Sequence, residues 1–250
     1  NNLEGAGGVA FNPLAYTAGQ NASTNGPESL FSKPQVGVWG VRLFDRDINW
    51  ESVGIAETIG GRLELSYAYE AIHLGKPAAG KNVSKHDLGA KLLVIKENQF
   101  GDYVPAVAVG TIWNTTDANL FGDKKSGFDY YTVATKLITQ TPLPVLLSGG
   151  LRYTDQLVTG VVGHSKDHDL TWFGNVDVLP LPYLATGFEY KQGAQFDSGF
   201  HNANYWDAHV AWFVNPNITL VAAYVYTGNE NSTSRVGFGD GLVVSAQYAF

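Results

Sequence analysis

The sequence predicts an all-β fold, a transmembrane antiparallel up-and-down β-barrel of about twelve strands with an irregular segment before it. Segments of about ten residues alternate apolar and polar side chains, and short and long connections alternate between these segments. The 250 residues contain no apolar run long enough for a transmembrane helix, mean hydropathy is -0.08, and aromatic residues make up 13% of the chain. A membrane protein of this composition must therefore cross the bilayer with strands.

The clearest alternation closes the chain, between Gly241 and Phe250. Successive side chains of a strand point to opposite faces. One face of this segment carries Leu242, Val244, Ala246, Tyr248 and Phe250, and the other carries Gly241, Val243, Ser245 and Gln247. The first face suits lipid and the second suits a polar interior.

The first predicted strand runs from about Gln35 to Phe44. One of its faces carries Gly37, Trp39, Val41 and Leu43, and the other carries Arg42. We expect the face without Arg42 to meet lipid, because a charge belongs in the lumen. A weaker candidate follows from about Ile48 to Thr58.

After a turn at Gly60 and Gly61, the segment from Arg62 to Ile72 has the most regular pattern of the chain. Its apolar face carries Leu63, Leu65, Tyr67 and Tyr69, and its polar face carries Arg62, Glu64, Ser66, Ala68 and Glu70. The remaining predicted strands lie at about His86 to Ile95, Tyr103 to Trp113, Phe128 to Ile138, Val145 to Thr154, Leu170 to Leu179, Leu184 to Gln192, Tyr205 to Phe213, Ile218 to Thr227 and Gly241 to Phe250.

The connections predict the orientation, because barrels of this class have short periplasmic turns and long extracellular loops. The short ones are Ile59 to Gly61, Lys96 to Asp102, Thr139 to Pro144, Pro180 to Tyr183 and Val214 to Asn217. The long ones are His73 to Lys85, Asn114 to Gly127, Asp155 to Asp169, Gly193 to Asn204 and Gly228 to Asp240. This pattern places both termini in the periplasm. The exception is the short link Asp45 to Asp47, where a long loop is expected.

Residues 1–33 have a different character from residues 34–250, which form the predicted barrel. They are rich in Gly, Asn and Ala, and they lack a sustained period. At about 3.3 Å per residue such a segment is long enough to enter the lumen. Its apolar residues Phe11, Leu14, Tyr16, Leu30 and Phe31 favour a plug over the alternative, a disordered periplasmic leader. The chain starts at Asn1 and contains no Met, which we interpret as a mature exported form.

The faces opposite the apolar stripes predict a charged lumen of mixed sign. The expected lining residues are Arg42, Arg62, Glu64, Glu70, Asp87, Lys91, Arg152, Asp177, Glu189, Lys191, Asp207 and His209. They could select a small polar or charged solute. They could equally form ion pairs that only satisfy buried charges and stiffen the wall.

Catalytic and cofactor patterns are weak. The segment from Gly5 to Ala10 fits a loose dinucleotide fingerprint but lacks the preceding strand. Asp207 and His209, with Ser148 or Ser245, suggest a hydrolase triad that nothing in the sequence assembles. We therefore predict no enzyme, no catalytic residue and no cofactor.

The pair His164 and His168 could hold a divalent ion, but we favour an exposed polar loop, because such loops collect these residue types. We predict no metal site, and this loop is the one place where the sequence leaves metal binding open. With no Cys the chain has no disulfide or thiolate site. A net charge of -7 without a basic run argues against a nucleic-acid partner.

The final strand, with Tyr248 two residues before a terminal Phe250, resembles the last strand of bacterial outer-membrane barrels. The segments Asn2 to Gly5, Lys33 to Trp39 and Gly61 to Tyr67 also resemble a bacterial outer-membrane family catalogued as a domain of unknown function. These resemblances imply a Gram-negative outer-membrane location, contacts with lipid and lipopolysaccharide, and recognition of the C-terminal strand by the barrel-assembly machinery. They imply no activity.

Together these observations predict an outer-membrane, porin-like channel for passive or gated passage of a small polar or charged solute. The main alternative is a non-conducting structural or interaction barrel that presents its outer loops to a partner. A soluble β-sandwich also has short alternating strands. It gives no reason for the regular alternation of connection lengths or for the terminal Tyr248 and Phe250. The solute, the oligomeric state and the protein partners are not encoded in any recognisable pattern.

Overall fold

The computed structural model describes residues 1–19, 30–76, 80–229, 231–232 and 234–250, and these residues contain twelve β-strands. The strands are β1 (Gln35–Leu43), β2 (Ile48–Ile59), β3 (Leu63–Leu74), β4 (Lys81–Ile95), β5 (Ala106–Thr116), β6 (Ser126–Ile138), β7 (Val145–Gln156), β8 (His164–Leu181), β9 (Leu184–Lys191), β10 (Tyr205–Phe213), β11 (Ile218–Tyr226) and β12 (Asp240–Ala249). In the described part of the chain, no helix is long and apolar enough to cross a membrane.

Each strand pairs antiparallel with its neighbours in sequence, and β1 pairs with β12 to close the barrel. In that closing pair Gln35 lies opposite Ala249 and Leu43 lies opposite Gly241. Closure leaves no sheet edge with unpaired backbone groups, which is what a lipid environment requires of strands. The predicted fold class is confirmed.

The connections define two ends of the barrel. The short-turn end carries the turns after β2, β4, β6, β8 and β10, together with the start of β1 and the end of β12. The long-loop end carries the other six connections. The link between β1 and β2 is short, as the sequence indicated. The loop between β3 and β4 is shorter than predicted, because both strands continue past the expected ends at Ile72 and His86.

The faces of β12 and β3 are as predicted, with residues such as Leu242 and Leu65 exposed on the outside. The faces of β1 are the reverse of the prediction. Trp39, Val41 and Leu43 are buried inside the barrel, and Arg42 points outwards at the rim. An inward apolar face is stable here because it packs under the loops that fold over this end of the lumen.

An apolar cluster fills the lumen at the long-loop end, and we call it the loop-end core. It combines inward side chains of six strands, buried residues of the long loops and three residues of the N-terminal segment. Its members are Leu3, Ala10, Phe11, Trp39, Val41, Leu43, Ile48, Trp50, Ile72, Leu74, Val83, Ala118, Leu157, Val158, Val161, Val162, Ala194, Phe196, Ala223, Val225, Phe238 and Val243.

Candidate functional site

Residues 1–19, which we call the inner segment, lie inside the barrel. Most of them are buried, and they contact strands around the whole wall. The segment approaches Arg152 at Glu4, contacts Glu189 on β9 at residues 10–12, and returns to the short-turn end at Ala18. Residues 20–29 of the predicted N-terminal segment lie outside the described residues. Residues 30–32 continue the pairing along the end of β2.

The first wall contact of the inner segment is an ion pair between Glu4 and Arg152 of β7. Two guanidinium nitrogens of Arg152 donate to the two carboxylate oxygens of Glu4, at 2.8 and 2.7 Å. Arg152 also donates through Nε to Asp129, and Lys85 lies 4.0 Å from Glu4. Burial alone would raise the pKa of Glu4, but the positive charges of Arg152, Lys191 and Lys85 hold it below its ordinary value. Glu4 is therefore ionised, and this contact is charge-assisted on both sides.

The second wall contact joins β3 and β4 to the inner segment at two points. Glu64 accepts hydrogen bonds from the backbone N–H groups of Gly7 (2.9 Å) and Ala18 (2.7 Å). Lys91 forms an ion pair with Glu64 at 3.0 Å and donates to the carbonyls of Gly7 and Tyr16 at 3.0 and 2.7 Å. One buried charge pair thus binds backbone donors and acceptors of the segment at the same time.

The third wall contact is a carboxylate held by a turn of the inner segment. Glu189 of β9 accepts three backbone N–H groups, from Ala10 (3.1 Å), Phe11 (2.9 Å) and Asn12 (2.7 Å). Successive N–H groups that converge in this way form an anion-binding concavity. They compensate a carboxylate that is fully buried and has Asp207 opposite it on β10.

Hydroxyl groups of the wall complete the attachment. Thr135 accepts the N–H of Ala15 at 2.9 Å, and Ser52 donates to the carbonyl of Leu3 at 2.8 Å. The inner segment therefore has the polar partners that a buried chain without regular structure requires.

Of the twelve residues predicted to line the lumen, ten project to the inside of the wall. They are Glu64, Glu70, Asp87, Lys91, Arg152, Asp177, Glu189, Lys191, Asp207 and His209. Arg42 does not, because it lies on the outer face of β1 and pairs with Asp47 and Asn49. Arg62 does not either. It belongs to the turn before β3, where it donates to the carbonyls of Leu93 and Val94.

Sequence reasoning missed several buried charges, among them Lys85, Asp129 and Glu4. Lys85 continues the inward face of Asp87 and Lys91, so a longer β4 would have revealed it. Asp129 alternates with exposed Phe128 and Tyr130 and could have been found in the same way. Glu4 has no such signal, because its place depends on a segment without a period.

The suggested hydrolase triad is not assembled. Both ring nitrogens of His209 are taken by carboxylates, Nδ1 by Asp207 and Nε2 by Asp177, each at 2.7 Å. Neither Ser148 nor Ser245 contacts the imidazole. Ser148 shares a hydrogen bond with Thr135 at 2.9 Å.

The histidine loop also differs from the expectation of an exposed polar loop. His164 begins β8, is buried and bonds Asp155 through Nδ1 at 2.8 Å, while Lys124 pairs with the same carboxylate. Within the described ranges, no group of three or more metal-ligating side chains has the geometry to hold an ion.

The loop between β7 and β8, residues 157–163, folds into the lumen instead of outwards. All seven residues are buried, and four of them belong to the loop-end core. A Cβ on Gly160 would lie 3.1 Å from Asn114 Oδ1 and 3.2 Å from Lys85 Cε, so the loop rests on the polar lumen residues Asn114 and Lys85. Val158 and Thr159 have φ angles of 49° and 53°, which β-branched residues rarely adopt. Strain of this kind persists only where the surrounding packing imposes it.

Comparisons with known proteins agree with this architecture. A family model described as "Protein of unknown function (DUF3034)" matches residues 1–237. The chain belongs to this family. The match begins with the inner segment, so the DUF3034 family model includes it together with nearly all of the barrel. No curated protein matches the chain in sequence.

Solved structures with the same architecture are outer-membrane barrels. The KdgM porin has a TM-score of 0.57 and 16% identity over 86% of this chain and 99% of its own. The NanC porin has a TM-score of 0.57 and 11% identity over the same shares. Omp33 of Acinetobacter baumannii has a TM-score of 0.52 and 11% identity over 89% of this chain and 100% of its own. At these identities the likeness establishes the fold of this DUF3034 chain.

Proposed function

We propose that this DUF3034 protein is an integral outer-membrane protein, with periplasmic termini, whose lumen is a gated channel for a small polar or charged solute. In this conformation the inner segment is the plug. Two of the barrels with the same fold are named as porins, and this supports a channel of some kind. The choice of a gated channel rests on the contacts of the inner segment.

The observation that carries the proposal is the chemistry of the interface between plug and wall. A barrel of about eight strands fills its lumen with its own side chains, whereas twelve strands enclose more space. Here a separable segment fills it, held by Arg152, Glu64, Lys91 and Glu189. When the segment leaves, water and ions can solvate these charges, whereas an apolar interface would be left exposed. The wall is therefore suited both to a closed state with the segment docked and to an open state with the segment released.

The loop-end core adds a second closure, and the plug supports it. Leu3, Ala10 and Phe11 of the plug pack in the same cluster as Val158 and Val161 of the inward loop. Removing the plug deletes these partners and leaves a void under the loop, which costs packing energy. We infer that release of the plug also loosens the outer closure.

A non-conducting barrel is the second candidate, and one observation favours it. The loop-end core closes the lumen with apolar contacts that involve six strands and several loops. If this closure does not yield, the charges inside only satisfy each other, and the exposed loops present the functional surface.

The outer surface and the last strand suggest the remaining partners. Exposed residues such as Leu65, Tyr67 and Val244 would contact lipid and lipopolysaccharide, and β12 would be recognised by the barrel-assembly machinery. We propose no catalytic activity, no cofactor and no nucleic-acid partner.

The test is single-channel conductance in planar bilayers, for the full-length chain and for a chain lacking residues 1–32. We expect rare or no openings in the full-length protein and sustained conductance after truncation. Heat-dependent migration in detergent gels serves as the control that both barrels are folded. Silence of a folded truncated barrel would contradict the channel and favour the non-conducting candidate.

A further inference from the structure

A cavity of about 350 Å³ lies between the plug and the wall, towards the short-turn end. We call it the vestibule. A second cavity of about 550 Å³ shares seven of its lining residues, among them Phe213 and Thr219, and leads on to the turn at Asn215 and Pro216. The size of the vestibule is that of a small-molecule site.

One side of the vestibule is apolar, in contrast to the charged wall that holds the plug at Glu64 and Lys91. Strands β6 to β11 direct Leu137, Leu146, Leu179, Phe213 and Val221 into it, and the plug adds Leu14. These wall residues take inward positions of their strands, where an aqueous channel for simple ions would carry polar groups. This side therefore suits the apolar body of a solute.

The inner end of the vestibule carries a negative group. Asp177 and His209 line it, and Asp207 lies behind the imidazole. Two carboxylates around one imidazole leave a net negative charge whether or not the ring is protonated. Both ring nitrogens are occupied, whereas the oxygens of Asp177 each accept one bond and have a further lone pair.

The other polar groups of the vestibule do not reverse this charge. The backbone nitrogen of Asn1 donates to Gln247 at 2.7 Å and is buried, where a positive charge is disfavoured. Gln35 and Gln247 are neutral and bond each other at 3.0 Å. Lys91 is paired with Glu64.

We propose that the vestibule is a binding site for a small amphipathic cation, with its apolar or aromatic body against the leucine-rich wall and its ammonium group at Asp177. If the protein is the proposed channel, this site specifies the class of solute that it carries. Only that link to transport rests on the proposed function, because binding itself does not require a conducting lumen. The site opens to the short-turn end and exists with the plug in place. Binding to the full-length chain should therefore precede any opening.

The experiment measures binding to the full-length protein in lipid nanodiscs by ligand-detected NMR, with protein-free nanodiscs as the blank. The probes are 2-phenylethylamine, the neutral 2-phenylethanol and the anionic 3-phenylpropanoate. We expect saturable binding of the amine, at least about tenfold tighter than that of the anion. The net negative charge around Asp177 attracts the ammonium group and repels the carboxylate, and a tenfold difference in affinity needs only about 1.4 kcal/mol.

Two variants locate the site, and one serves as a matched control. Val221→Trp fills the vestibule and should abolish binding, whereas Ala222→Trp adds the same ring to the exposed face of β11 and should leave binding unchanged. Asp177→Asn keeps the shape of the carboxylate and should bring the affinity for the amine close to that for the alcohol. Heat-dependent migration in gels confirms that each barrel is folded.

The proposal is overturned if no probe binds saturably, if the anion binds as well as the amine, or if Val221→Trp and Ala222→Trp behave alike. This experiment measures binding and not ion flow. A failure to bind would therefore reject the site in the vestibule without rejecting the gated channel. Saturable binding with a silent truncated barrel would keep the site and reject the channel.

Discussion

The two halves of the lumen are closed by different physics. Towards the short-turn end, the plug is attached through charges and hydrogen bonds at Glu64 and Lys91, Ala15 packs in a smaller apolar cluster, and a cavity remains beside the plug. At the long-loop end, the apolar side chains of the loop-end core close the lumen, and Val158 and Thr159 have a left-handed backbone conformation. Water can replace most contacts of the first closure if the plug is released, whereas opening the second closure exposes apolar surface.

In the proposed gated channel, this difference separates the plug, which moves first, from the inward loop, which follows. Water can replace every hydrogen bond between plug and wall, but it cannot replace the burial of Leu3 and Phe11 in the loop-end core. We therefore expect the polar attachment to control how often the lumen opens. The apolar core should control how quickly the closed state returns.

The largest expected effect comes from removing Arg152. Arg152→Leu leaves Glu4 and Asp129 buried without their cation, and breaking a buried pair in this way costs about 3–5 kcal/mol. We expect the plug to be released, measured as rapid protease cleavage within residues 1–19. The matched control is Arg42→Leu, which removes an exposed arginine paired with Asp47 and should change the cleavage rate little. Equal cleavage in the two variants would refute the role of the Glu4 pair.

The next effect concerns Glu189, which binds the plug through three backbone N–H groups. Glu189→Ala should weaken docking by about 2 kcal/mol, the usual contribution of hydrogen bonds to a charged group. Protease cleavage of residues 1–19 should then accelerate about thirtyfold, because cleavage follows the population of the open form. Glu51→Ala, on the exposed face of β2, is the control and should leave the rate unchanged.

A smaller change tests the long-loop end. Gly160→Ala adds a Cβ at φ +80° and places it against Asn114 and Lys85. We expect the inward loop to loosen by about 1–2 kcal/mol, seen as faster amide exchange at residues 157–163. Gly60→Ala is the matched control. It imposes a similar backbone cost at φ +58°, but its added Cβ would have no atom within 4 Å. If the loop exchanges no faster in Gly160→Ala than in Gly60→Ala, the loop is not held down on the charged lumen.

The smallest effect is a pH dependence that arises from Glu4. Its pKa is held below the ordinary value of 4.5 when the plug is docked, and it returns to that value on release. Docking therefore binds fewer protons than release, so its stability is present above about pH 4.5 and declines as the pH falls further. The loss is smaller than in Arg152→Leu, because Arg152 keeps Asp129 when Glu4 is protonated. Glu4→Gln should remove this part of the pH dependence of cleavage, and an unchanged profile would exclude Glu4 as its source.

The barrel itself was predictable because its cause is local. A period of two and the alternation of turn and loop lengths each follow from strands with lipid on one side. The error at β1 has the same origin. The rule that the charged face is the inner face fails where Arg42 lies at the rim and Trp39 packs against folded-in loops.

The lumen was less predictable, because its contacts are between residues far apart in sequence. Nothing in the order of residues joins Glu4 to Arg152 or the turn at residues 10–12 to Glu189. The inward fold of residues 157–163 was missed for the same reason. The apolar content of this loop was visible, but its destination depends on the space that the barrel leaves.

The most direct test of these two closures is the rate of thiol modification in the intact full-length protein. The chain has no cysteine, so single variants Ala10→Cys in the plug and Val161→Cys in the loop report the exposure of each segment separately. Both side chains are buried in the loop-end core, and both should react slowly. With Arg152→Gln added, we expect Ala10→Cys to react much faster while Val161→Cys lags behind it. Equal acceleration at both positions would contradict the account, because the charged and apolar closures would then open as one unit.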